Sequence, residues 1–335
     1  MELRFTRDGI EYNIRPATLA DAEEVVALIN ICSQELYGKD ELELDELLAD
    51  WQLKGTDLKL DSIVVLADEK LIAFADLVDV VAPFVRYPLM ARVHPLYRGQ
   101  GFGWLINRWA QGRVEELIER APAETRVFMI SIVHEKNQAG RQLLEDLGGK
   151  LERLNWLMER ELLGPLPEVW LPEGYRLRVA KTDEYRQIFT VKQQAFQDHW
   201  GFIPISEEQG FENFMQHFVQ DPHYQPELFL VAESEEQIVA MLIATPASSY
   251  GDDYGWISVL GVLPAHRHKG IGKALLLRAF AELKLFGCER VGLWVDSDSL
   301  TGATRLYQQA GMQVVAQFNR YETTMRAGVD LRRLK

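Results

Sequence analysis

Cysteine is scarce. Only Cys32 and Cys288 carry a thiol in 335 residues; they lie far apart, and neither sits at metal-ligand spacing. That argues against a disulfide framework and against zinc chemistry, and no metal site is expected. Each thiol reads as a small packed hydrophobe in a reducing compartment. Long apolar runs are missing too. No stretch is long enough to span a bilayer, and residues 1–8 lack the apolar core of a signal peptide, so a soluble, cytoplasmic protein is expected. Positive charge is in deficit: 36 Lys plus Arg against 50 Asp plus Glu give a net charge of −14. That balance disfavours a general nucleic-acid or anionic-membrane surface. Oligomeric state is not legible.

Apolar material is plentiful at 47%, and the chain is long for one domain, which suggests two cores. A repeat supports this. Residues 12–18 (YNIRPAT) alternate like a strand, with Thr18 placed to cap a following helix, and residues 175–181 (YRLRVAK) repeat the pattern with Arg178 lying 163 residues after Arg15. The run Arg98-Gly99-Gln100-Gly101-Phe102-Gly103 recurs as Arg267-His268-Lys269-Gly270-Ile271-Gly272 at a separation of 169. Two features recurring at nearly one spacing imply duplication, in two copies that are too few for a solenoid. The Pro- and Gly-rich stretch 164–174 reads as a linker, giving domains 1–163 and 175–335.

In each copy the glycine-bearing run follows an apolar strand and opens a helix. In the second copy Ile271, Ala274, Leu275, Ala279, Leu283 and Phe286 have helical period. The first N–H groups of such a helix have no intrahelical partner, and glycine lets an anion approach them. Arg267, His268, Lys269 and Lys273 add charge. The run is not a nucleoside-triphosphate loop, because Arg267 and Ala274 replace the required Gly and Ser or Thr. Nor is it a dinucleotide fingerprint, because Leu275 replaces the third small residue. Gly261, inside the strand Trp256 to Val262, marks either a bulge or a close approach of the backbone to a helix.

The R-x-x-G-x-G run, followed by the segment 290–315 (RVGLWVDSDSLTGATRLYQQAGMQVV) with Leu306-Tyr307 four residues before Gly311, resembles the GNAT family of coenzyme A-dependent N-acetyltransferases. The resemblance spans nearly the whole chain and is strongest from Trp256 to Met325. It implies an α/β (α+β) architecture of two tandem domains, each a mixed, mostly antiparallel sheet flanked by helices and splayed between its fourth and fifth strands. It also implies acetyl-CoA as cofactor, bound in the second copy by Leu260, Gly261, Val262 and residues 267–274 (Arg267, His268, Lys269, Gly270, Ile271, Gly272, Lys273, Ala274). In the first copy the matching residues are Arg98, Gly99, Gln100, Gly101, Phe102 and Gly103, either binding coenzyme A or kept as scaffold.

In this family a tyrosine usually protonates the departing thiolate, and Tyr307 holds the matching position. Its other reading is a core tyrosine. The first copy has Leu144 there and Arg92 in place of Gly261, so chemistry is expected in the second copy alone. The base is open. Trp256, Ser258 and Leu260 fill the alternating strand positions where many members carry a carboxylate, which leaves Asp198, His199 or a water held by Ser258. Asp252, Asp253 and Asp296 read more readily as turn or solvent-facing carboxylates. The aromatics Phe196, Trp200, Phe202, Phe211 and Phe214 are either an acceptor pocket or helical core. The two-copy order also resembles the mycothiol synthases, although their glutamate before the second loop is missing. The expectation is an N-acetyltransferase acting on a primary amine of a small molecule or peptide; the alternative is a non-catalytic coenzyme A-binding regulator.

Overall fold

The computed structural model describes residues 2–52, 55–78, 82–298 and 302–332. The chain divides into two compact units, and they are interleaved. One comprises residues 1–154 and 318–331; the other comprises 155–317 with the last residues from Arg332. The single cut expected near Gly164 is therefore not where the units part. Residues 164–174, expected as a linker, belong wholly to the second unit, where the Gly164 carbonyl accepts from Lys284 Nζ at 2.5 Å.

In the first unit, β1 (Leu3–Arg7), β2 (Ile10–Arg15), β3 (Ser62–Ala67), β4 (Lys70–Leu77), β5 (Arg86–Val93) and β6 (Val127–His134) lie side by side in chain order. Next to β6 comes residues 318–326 of the final strand β13 (Gln313–Arg326). All neighbours are antiparallel except β5 and β6. The β3–β4 hairpin turns through Asp68 and Glu69, both at positive φ (47° and 66°), the backbone a two-residue hairpin loop requires. Helices α1 (Ala22–Tyr37) and α2 (Leu44–Trp51) bury Val25, Ile29 and Trp51 against Val64 and Phe74, and the unit also carries α3 (Leu58–Asp61), α4 (Phe102–Leu117) and α5 (Gln138–Asp146). Thr18 heads a short 3-10 turn before α1, and its N–H and hydroxyl both donate to Asp21 Oδ2 at 2.8 Å.

In the second unit the order is β8 (Tyr175–Val179), β9 (Phe229–Ser234), β10 (Gln237–Thr245), β11 (Tyr254–Val262), β12 (Arg290–Asp296), then β7 (Gly149–Glu161) through residues 155–161. Only β11 and β12 pair in parallel. Helices α8 (Ile271–Leu285) and α9 (Ala303–Gln309) cover one face, with Phe280 and Leu275 packed among Ile257, Leu293 and Met158. Helices α6 (Tyr185–Phe196) and α7 (Glu207–Phe214) cover the other with Ile188, Phe189 and Phe214 against Val231 and Met241. Phe211 and Phe214 are thus core aromatics, not pocket lining. Residues 149–161 form one long strand, β7, and residues 313–326 form another, β13.

Candidate functional site

The parallel pairing of β11 and β12 covers only Tyr254–Trp256 and Arg290–Gly292. Past that point β11 continues with β10 to Val262 and β12 continues with β7 to Asp296, so the two strands part. A cleft of about 640 Å³ opens between them. Among the described residues the edge of β11 facing it has no strand partner beyond Trp256, so its backbone N–H and C=O groups need a side chain, a ligand or water.

Register decides which side chains meet the cleft. Val259 opposes Ile243 while Ile257 opposes Ala244, so Ser258 is the extra residue of a β-bulge. The bulge flips the alternation. Ile257, Leu260 and Val262 pack toward α8, whereas Val259 faces the α6 core. The simple alternation of Trp256, Ser258 and Leu260 on one face is therefore corrected. Gly261 is not the bulge but a close approach: a Cβ there would lie 3.0 Å from Ala195 Cβ and 3.2 Å from a Phe196 ring carbon on α6.

After β11 the loop to α8 holds His268 at φ 61° and Gly270, the N-cap, at φ 83°. Gly99 (φ 75°) and Gly101 (φ 93°) reproduce this shape in the first unit. A histidine in this backbone region is uncommon, and the tight loop it makes leaves the first N–H groups of α8 facing the cleft. A Cβ at Gly272 would meet Leu306 at 3.1 Å, so glycine here lets α9 come close. Gly270, Ile271, Gly272, Lys273 and His268 line the cleft with Leu260, Gly261 and Val262. Ala274 is buried, and its N–H donates to Gly270 O at 3.0 Å as the first helical bond, so it has no group left for a ligand. Lys269 turns to the Tyr175 hydroxyl at 3.1 Å.

Arg267 departs furthest from expectation. Its Nε donates to Val262 O at 3.1 Å, one terminal nitrogen donates to Ala195 O at 2.8 Å and Asp198 Oδ1 at 2.9 Å, and the other donates to Asp198 Oδ2. The guanidinium thus ties the loop to the end of α6. Asp198 is correspondingly occupied: hydrogen bonding from Arg267 holds its carboxyl below the usual range, making it a weak base. Arg98 repeats the tie in the first unit, bonding Glu35 on α1 at 2.5 Å.

Tyr307 lies on α9 with its ring 8% exposed, and its hydroxyl has no hydrogen-bond partner among the described residues. Burial pushes the phenol up to about 12, which keeps it protonated. His199 and Ser258 line the same cleft. Burial pushes the His199 imidazole below its ordinary 6.5, so it is neutral at pH 7. Asp296 also lines the cleft, although it was read as a turn carboxylate; its Oδ1 accepts from Asp298 N at 2.9 Å. Glu159 on β7, half-buried, accepts from the Tyr254 hydroxyl at 2.8 Å, a carboxylate near the cleft strands that lies outside every sequence motif.

The family model described as "Acetyltransferase (GNAT) family" matches residues 185–312, which contain β11, the loop, α8, β12 and α9. A mycothiol acetyltransferase of Thermobispora bispora is 30% identical over 228 residues, covering 65% of this chain and 70% of that protein. The chain belongs to the GNAT acetyltransferase family. A second mycothiol acetyltransferase, of Saccharopolyspora erythraea, is 27% identical over 240 residues, covering 70% of this chain and 74% of its own. Among solved structures, a GCN5-related N-acetyltransferase from Sphaerobacter thermophilus superposes with a TM-score of 0.81 at 28% identity, covering 95% of this chain and 97% of that one. A tandem GNAT protein from the clavulanic acid biosynthesis pathway shares the fold, with a TM-score of 0.71 at 13% identity over 95% and 99% of the chains.

This GNAT chain is therefore an N-acetyltransferase that uses acetyl-CoA. The cleft fits that donor on its own chemistry. It offers a strand edge without a strand partner past Trp256, a helix N-terminus opened by Gly270 and Gly272, and a phenol with no hydrogen-bond partner among the described residues. Among the described residues no helix is long and apolar enough to cross a membrane, and no His, Cys, Asp and Glu cluster of metal-holding size occurs.

Proposed function

We propose that the second unit transfers the acetyl group of acetyl-CoA to a primary amine of a small molecule, with Tyr307 as general acid. The observation that carries this reading is the neutral phenol in the cleft between the parted strands, without a hydrogen-bond partner among the described residues. Acetyl-CoA supplies an activated thioester. The N–H groups of Gly270, Ile271, Gly272 and Lys273 hold its phosphates, and the free edge of β11 through Leu260, Gly261 and Val262 receives its amide arm. Tyr307 gives a proton to the thiolate as it leaves. His199 takes the proton from the amine, directly or through a water held by the Ser258 hydroxyl.

The first unit supports no such reading. Leu144, 8% exposed, stands where the second unit has Tyr307, and Arg92 forms an ion pair with Glu41 where the second unit has Gly261. Its loop at residues 98–103 keeps the fold of that region without the chemistry. The similarity to mycothiol acetyltransferases favours a small-molecule acceptor over a peptide.

The test is acetyl-CoA-dependent thiol release over a panel of primary amines. Tyr307→Phe is expected to lower kcat by roughly 10²-fold or more while coenzyme A affinity stays within a factor of two or so, the signature of a lost proton donor. Unchanged kcat in that variant would sink the assignment. The pH profile checks the base. Because His199 must be neutral and sits below its ordinary value, kcat/KM should fall as pH drops through a midpoint under 6.5, and this acid limb should vanish in His199→Gln. No alkaline limb from Tyr307 should appear near neutrality, since its phenol lies at about 12.

A further inference from the structure

An arginine at the head of a phosphate loop is ordinarily assigned to the phosphate. Here every nitrogen of the Arg267 guanidinium is already engaged: Nε by Val262 O, one terminal nitrogen by Ala195 O and Asp198 Oδ1, the other by Asp198 Oδ2. A planar fork matched to a carboxylate in this way is a strong, directional clamp. It joins the last turn of α6 to the end of β11, and His199 is the next residue after Asp198, its own N–H bonded to Phe196 O at 2.9 Å.

The first unit supplies an internal control. Glu35 lies 163 residues before Asp198, the same separation that relates Arg15 to Arg178, and it binds Arg98. There the position after the carboxylate is Leu36, and Leu144 replaces the tyrosine. The clamp therefore accompanies the loop fold irrespective of chemistry; what the second unit adds is an imidazole beside it.

We infer that Arg267 and Asp198 are positioning residues: together they fix His199 in the cleft between opposite charges, and the guanidinium makes no contact with the phosphates of acetyl-CoA. This rests on reading the second-unit cleft as the acetyl-CoA site, and not on any catalytic role of His199. Asp198 favours the charged imidazole and Arg267 opposes it; Asp296 at the end of β12 adds a further favourable charge. The other basic side chains lining the cleft are His266 and His268 between β11 and α8, Lys273 on α8 and Arg305 on α9.

The experiment uses the full chain and needs no turnover. The His199 imidazole is titrated by proton NMR, its signal assigned by its loss in His199→Gln, and coenzyme A affinity is measured by calorimetry. The variants are Asp198→Asn, which is nearly isosteric, Arg267→Gln, and the double substitution, each checked by thermal melting. The His199 midpoint should fall in Asp198→Asn and rise in Arg267→Gln. Coenzyme A affinity should change alike, within about 3-fold, in both single variants and the double, because all three lose one shared contact. Two results would overturn the inference. One is a midpoint that does not move in Asp198→Asn. The other is tighter coenzyme A binding in Asp198→Asn with a loss of roughly tenfold or more in Arg267→Gln, as expected of a released and then removed phosphate ligand.

Discussion

At the residue scale, the placement of Tyr307 in the cleft and of Gly270 at the head of α8 could be read from spacing because both depend on local chain geometry: a helix position before Gly311, and an N-cap at φ 83°. Arg267 was not legible in the same way. Its partner Asp198 lies 69 residues away, and no pattern within the loop shows that the charge is already spent. The same limit applies to Glu159, whose contact with Tyr254 spans 95 residues. Gly270 gives a direct test. Alanine there would hold a positive φ and place its Cβ 3.3 Å from the Trp170 ring, so Gly270→Ala should cost about 1–2 kcal/mol from the left-handed backbone alone. A lower melting temperature together with weaker coenzyme A binding is expected. A melting temperature equal to that of the parent would show that the loop relaxes out of this conformation.

At the element scale, the glycine in β11 shows how one residue can be read two ways. Gly261 stood for either a bulge or close packing, and composition cannot separate these, since both need a missing side chain. Register separates them: the bulge is at Ser258, where Ile257 and Val259 fall on successive residues of β10, and Gly261 faces α6. The consequence is measurable. Gly261→Val would push into Ala195 and Phe196 from the side of α6, the helix whose end carries Asp198 and His199, at a cost of roughly 1–3 kcal/mol for overpacking. Turnover should suffer more than coenzyme A affinity, because the loop and the first turn of α8 lie across the sheet from that face. Loss of coenzyme A binding with α6 undisturbed would instead show that the added side chain displaces the β11 edge rather than the helix. Strand β7 escaped notice for a related reason: residues 150–152 are all exposed and 153–156 all half-buried, so no clean alternation marks it.

At the scale of the whole molecule, the duplication could be read from sequence, and pairs of contacts confirm how deep it runs. Arg15 grips Asp21 with two bonds of 2.7 and 2.8 Å, and Arg178 grips Glu184, 163 residues after Asp21, with two of 2.7 Å. What repeat spacing cannot show is which copy receives each final strand. The two sheets present the same vacancy, an antiparallel place beside a strand that pairs in parallel on its other side, so either last strand satisfies it. In this chain β6 is completed by residues 318–326 and β12 by residues 155–161. Truncation after Gln317 is therefore expected to damage the first unit. It removes Phe318 and Tyr321, 4% and 2% exposed, and it leaves Arg126 without Glu322, whose loss exposes β6 as an edge. Hydrogen exchange should accelerate across residues 127–134, while coenzyme A binding and Tyr307-dependent turnover persist in the second unit. A fragment of residues 175–335 makes the converse case. It retains the whole family-matched segment but loses Met158 and Leu162, both fully buried in the core that supports α8, and strips β12 of its antiparallel partner. Losing buried side chains of this size costs about 2–5 kcal/mol each, comparable to the margin of a whole domain. That fragment should fail to bind coenzyme A, and extending it back to residue 149 should restore binding. If the shorter fragment binds as tightly as the full chain, the second unit is complete without β7 and the interleaved division is wrong.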